Sequence, residues 1–108
     1  MGYIRHHAII VTSWDEKRIT EARKEAKEIC GNRVSSIVKS PLNGYYSFFV
    51  APDGSKEGWE ESEQGDYERR KFIGWIEAQS YDDGPNSLDY VEVFYGDEDG
   101  DSEIINNN

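Results

Sequence analysis

The chain has 108 residues, a formal net charge of −10, and 36% hydrophobic and 13% aromatic residues. That length bounds one domain with a single modest core filled by large rings, and the charge argues against direct DNA or RNA binding, which depends on cations that displace counterions. Cys30 is the one cysteine, which excludes an intramolecular disulfide and a cysteine-built zinc site and makes a cytoplasmic setting the expectation.

The apolar run Ala8 to Val11 is too short for a signal peptide, and no stretch reaches the length of a membrane span, so no membrane partner is expected. His6 to Ser13 is β-branched and apolar at its centre and reads as a buried strand. Ser13-Trp-Asp-Glu16 fits a capping box, with Ser13 as N-cap, Glu16 reaching back, and Asp15 and Glu16 at the positive end of the dipole. The helix is expected to run to Cys30, burying Ile19, Ala22, Ala26 and Ile29, with Gly31 as a left-handed stop.

Val34–Ser40 and Tyr45–Val50 read as strands joined at Asn43-Gly44, a strong hairpin signal. Ser55 to Glu63 reads as a surface loop whose one aromatic is Trp59. A second helix is expected from Gly65-Asp66 to Gln79, with Asp66 as N-cap and Phe72, Ile73, Trp75 and Ile76 inward. Gly74 inside it costs roughly 1 kcal/mol relative to Ala, which suggests a close approach by a backbone or ring. Leu88 to Tyr95 alternates and reads as the last strand. Residues 97–108 read as a fraying acidic and Asn-rich tail on a single domain spanning 1–96.

The order β-α-β-β-α-β predicts an α+β, ferredoxin-like sandwich: a four-stranded antiparallel sheet in the order 4-1-3-2 with both helices on one face. Taking the more aliphatic set of each strand toward the helices turns Val91, Val93 and Tyr95, and Tyr46, Phe48 and Val50, inward. The uncovered face would then show Tyr45, Phe49, Tyr90, Glu92 and Phe94, too many rings for bare solvated sheet. A second subunit, a foreign protein, a flat ligand or the tail itself would cover it.

The charge is segregated along the chain. Residues 1–54 carry 8 Lys/Arg against 6 Asp/Glu, residues 55–108 carry 4 against 16, and no basic residue follows Lys71. An anionic back half suits a basic protein partner or a metal. Asp97, Asp99 and Asp101 stand at alternate positions like the start of a calcium loop. The sixth position there is Ser102 instead of Gly, and the twelfth is Asn108 instead of Glu, which favours a solvated tail.

His6 and His7 are the candidate catalytic residues, but neighbours on a strand point to opposite faces, and no other histidine exists to complete a site. Glu57, Glu60, Glu61, Glu63, Asp66 and Glu68 surround Trp59, which reads as a flap over the core or an anchor for a partner. Arg69-Arg70-Lys71 reads as local helix pairing with Asp66 and Glu68. No phosphate loop or nucleophile elbow is seen, and no cofactor is implied.

The stretches Arg5-His-His-Ala-Ile-Ile-Val-Thr-Ser13 and Ala51-Pro-Asp-Gly-Ser-Lys-Glu-Gly-Trp-Glu60 resemble those of a family of small uncharacterised proteins of tailed bacteriophages and prophages. The resemblance spans about residues 3–96. It implies a viral accessory protein made in the bacterial cytoplasm, in a class rich in host-takeover and counter-defence factors.

The leading expectation is a non-enzymatic binding protein, a homodimer, that engages a host protein through the aromatic face or Trp59 while the acidic half steers. A variant sequesters a small nucleotide with Arg5, Arg33, Lys39 and Lys56. The rivals are a His/carboxylate-dependent hydrolase or nucleotide-processing enzyme, and a structural or regulatory phage accessory protein.

Overall fold

The computed structural model of the chain describes residues 5–52, 60–80, 86–96 and 101–108. Its elements are β1 (Arg5–Ser13), α1 (Glu16–Cys30), a 3-10 turn (Gly31–Arg33), β2 (Val38–Lys39), β3 (Tyr46–Val50), α2 (Glu60–Glu77), β4 (Leu88–Gly96) and β5 (Asp101–Asn107). The strands form one open sheet in the order β2-β3-β1-β4-β5, and every neighbouring pair is antiparallel. The inner order is the expected one. The difference is a fifth strand: residues 101–107, expected to fray, pair along β4 from Gly96↔Asp101 to Val91↔Asn107.

β1 lies at the centre because its run of β-branched residues suits a strand paired on both sides. Ile9 and Val11 are fully buried on one face, and cross-strand partners share a face, so Val50 and Phe48 on β3 and Tyr90 and Glu92 on β4 lie beside them. Ile19, Ala22, Ala26 and Cys30 of α1 and Phe72, Ile73 and Ile76 of α2 join that single cluster. Both helices therefore cover the same face. Each fully buried aliphatic or phenyl side chain there contributes about 1.5–3 kcal/mol.

Helix starts depart from expectation at both ends of the core. Ser13 is still a strand residue, paired with Tyr46 and Leu88, so it cannot be the N-cap. Asp15 holds that place: its Oδ1 accepts from the backbone N–H groups of Lys17 at 3.0 Å and Arg18 at 3.3 Å, while Ser13 Oγ accepts from Asp15 N. Gly31 ends α1 with φ 65°, and Gly44 closes the β2–β3 turn with φ 73°.

Helix α2 begins at Glu60, six residues before the expected cap. Glu60, Glu61 and Glu63 form its first turn, where acidic side chains meet the positive end of the dipole. Asp66 is consequently inside the helix and pairs with Arg69 one turn on. Gly74 lies on the exposed side of α2, with open space where a Cβ would stand, so no backbone or ring approaches it. Among the described residues no helix is long and apolar enough to cross a membrane.

Candidate functional site

The helix-free face of the sheet is the first candidate surface. Alternation on β1 sends His6, Ala8, Ile10 and Thr12 to it. Register carries Phe49 and Ser47 from β3, Val38 from β2, and Val91, Val93 and Tyr95 from β4 to the same side. Ile104 of β5 lies opposite Val93 and is 61% exposed. Thr12 and Ser47 share a hydroxyl hydrogen bond of 2.9 Å across the strands. Ala8, Ile10, Val38, Phe49, Val93 and Tyr95 line a shallow, open groove of about 620 Å³ on this face. Its wall is largely apolar, which suits apolar or aromatic surface; Ser35, Ser36 and Ser47 supply hydroxyls, but no described Lys or Arg lines it to hold phosphate.

Phe49 is exposed there, as expected, and Tyr45, just ahead of β3, is also exposed. Tyr90 and Glu92 are not. They are buried, at 4% and 7% exposure, on the helix face, and Phe94 shares their parity. The assignment of β4 is thus reversed, and Val91, Val93 and Tyr95 face outward. The deciding residues are the first two of the strand. Leu88 is fully buried and Asp89 exposed, and each sets the parity of everything after it. Aliphatic content over 90–95 alone pointed the other way.

Burying Glu92 is tolerated because its charge is met. Arg69 Nε stands 3.6 Å from Glu92 Oε2, and Asn106 Nδ2 donates to Glu92 Oε1 at 3.1 Å. Arg69 is itself buried, at 2% exposure, and its guanidinium also pairs with Asp66. Arg69, read from the sequence as pairing locally with Asp66, does so, and it also joins α2 to β4 and, through Glu92 and Asn106, to β5. Tyr90 Oη donates to Glu77 Oε1 at 2.6 Å. Burial, then the Glu77 hydrogen bond and the charges of Glu77 and Glu92, push the Tyr90 phenol well above its ordinary range. Burial likewise raises the Cys30 thiol, which is no exposed nucleophile.

The histidines part as alternation requires. His6 lies on the open face, its ring centroid 5.1 Å from that of Tyr95, and His7 on the helix side, 5.8 Å from that of Phe94. They do not converge on one site. Of the four proposed nucleotide-binding cations, two are otherwise engaged: Arg33 pairs with Glu68, and Lys39 Nζ stands 5.7 Å from the centre of the Tyr46 ring. Lys56, Trp59, Asp97 and Asp99 lie outside the described residues, as do the side chains of Arg5 and Asp101. No group of three His, Cys, Asp or Glu able to hold a metal occurs among the described residues.

The second candidate surface is electrostatic. Helix α1 carries five Lys/Arg and four Asp/Glu, whereas α2 carries three against six. β2 and β3 hold one charge, Lys39; β4 and β5 hold Asp89, Glu92, Asp101 and Glu103. α1 packs on β3 and β1, and α2 is tied to β4 by Arg69–Glu92 and Tyr90–Glu77. One flank of the molecule, α2 with β4 and β5, is therefore acidic.

The chain matches no protein-family model, no curated protein and no solved structure.

Proposed function

We propose that this chain is a non-enzymatic binding protein that presents its acidic flank to a basic surface on a protein partner. The observation that carries the reading is spatial. The topology gathers the acidic half of the sequence, α2, β4 and β5, onto one side of the sheet, while the near-neutral half builds the other. Such a flank steers a cationic partner and orients it on approach. The separation of His6 and His7 onto opposite faces weighs against the hydrolase reading.

The source and setting belong to the same proposal. The resemblance of residues 5–13 and 51–60 to small tailed-phage proteins supports a viral accessory factor in the bacterial cytoplasm, with a host protein as the partner. The β-α-β-β-α-β order and the inner strand order support a ferredoxin-like sandwich, extended at one edge by β5.

Capture from bacterial host lysate at graded salt, read by quantitative mass spectrometry, tests the reading. Glu61, Glu63 and Glu103 are exposed. The expected result is a basic host protein whose capture weakens with salt and falls at least tenfold for the Glu61→Lys, Glu63→Lys, Glu103→Lys triple variant. Equal capture by both forms would sink it. So would a host phenotype abolished by His6→Ala or His7→Ala with capture intact.

A further inference from the structure

The acidic flank leaves the open face of the sheet unassigned. We propose that this face packs against the same face of a second copy of the chain, in a two-fold sandwich whose axis runs along β1.

Charge is the first argument. Any two copies of a chain with net charge −10 repel. The open face is where that repulsion is least. By strand register its one described carboxylate is Asp89, at a corner, and it holds no described Lys or Arg. A basic partner would be met by carboxylates; this face is cleared of them. It accepts a neutral, apolar surface, and the molecule's own face is one.

Register is the second argument. Phe49, Ile10 and Val91 form one row across β3, β1 and β4. A two-fold axis along β1 sets Ile10 on Ile10 and, on both sides, the large Phe49 against the smaller Val91. That is the self-complementarity an isologous contact requires. The same axis lays the acidic β4–β5 edge of each copy over the near-neutral β2–β3 edge of the other; on the contact face itself only Asp89 is a described charge, since Glu92, Glu103 and Lys39 have helix-side parity. The in-plane axis at right angles would stack acidic strands on acidic strands. Longer-range repulsion between the acidic edges favours the first arrangement.

Area is the third. Five strands ~4.8 Å apart, averaging about six residues rising ~3.3 Å each, span roughly 500 Å² per copy. Two copies bury roughly 1,000 Å² or more, at the lower bound of a specific interface. A reversible dimer is the expected strength.

Sedimentation equilibrium of the full chain up to about 1 mM tests this. The expected result is a concentration-dependent rise toward twice 12.4 kDa. Ile10→Lys and Phe49→Lys, at positions 44% and 43% exposed, should each weaken the dimer at least tenfold with circular dichroism unchanged. Two substitutions keep the test intact if one fails to fold. Ile10→Cys should crosslink to itself with a short bismaleimide, since Cys30 is buried.

A wild-type monomer at every concentration would overturn the proposal, whether or not native mass spectrometry finds a small molecule on the face. So would a dimer indifferent to both lysine variants, or one that Ile10→Cys does not crosslink. Self-association is read on the isolated chain and capture of a basic partner in lysate, so either can fail without the other.

Discussion

Arg69 and Glu92 show what a buried charge asks of its neighbours. Each has been taken out of water and is held by the other, Arg69 also by Asp66 and Glu92 also by Asn106. Replacing such a pair with apolar residues is often neutral, whereas removing one member leaves the other charge uncompensated. Arg69→Met alone is therefore expected to cost about 3–5 kcal/mol in urea unfolding. Arg69→Met with Glu92→Leu should recover most of that loss, and a double-mutant cycle reads the coupling.

Tyr90 supplies a second test at this scale, in pH. Its phenol is raised in the folded state by burial and by Glu77. Below the unfolded value of about 10 it is protonated in both states and its contribution is fully present. Above that pH the unfolded chain releases a proton that the folded chain keeps, so stability falls as pH rises. Alkaline titration followed by tyrosinate absorbance should show one tyrosine ionising only on unfolding, and Tyr90→Phe should abolish that component.

Among the elements, α2 and β5 are the two whose behaviour is least ordinary. Gly74 sits in α2 with nothing near a would-be Cβ and no left-handed backbone to require glycine. Gly74→Ala should raise stability by about 0.5–1 kcal/mol, visible as a higher thermal midpoint. A fall instead would mean that a ring or backbone does approach that site.

β5 is held less by apolar burial than by asparagines. Asn108 Oδ1 accepts from Tyr90 N at 2.9 Å, and its Nδ2 donates to Leu88 O at 2.7 Å. The side-chain amide continues the ladder one step past the strand, and Asn106 anchors the same strand on Glu92. Asn108→Ala should leave global stability within about 1–2 kcal/mol of wild type. It should speed hydrogen exchange at the Tyr90 amide by tenfold or more, with the Val11 amide unaffected.

For the whole molecule the governing quantity is net charge. At −10, with the acidic residues concentrated on one flank, the folded chain repels itself, and screening relieves this. Raising sodium chloride from 20 to 300 mM should increase the thermal midpoint by a few degrees. A fall would mean that local ion pairs such as Arg33–Glu68 outweigh the net repulsion.

Element order and the buried stripes of both helices were legible in the residues because each follows from local signals, the 3.6 period of Ile19, Ala22 and Ala26 and turn chemistry at Asn43-Gly44, and the inner strand order followed from that element order through the handedness of its crossovers. The histidine separation was legible for the same reason, since alternation on one strand needs no knowledge of the rest. The face of β4 was not. Period-2 alternation defines two faces but leaves open which is inward, and that choice rests on the fully buried Leu88 and on an arginine in α2 able to neutralise Glu92. β5 was hidden because an acidic, Asn-rich segment gains little by burying itself. It becomes a strand because β4 offers it an unpaired edge, and Glu92, Leu88 and Tyr90 offer its asparagines partners. Charge segregation is written in one dimension. Its meaning as a flank, with a neutral face beside it, exists only once the antiparallel order brings the acidic strands together.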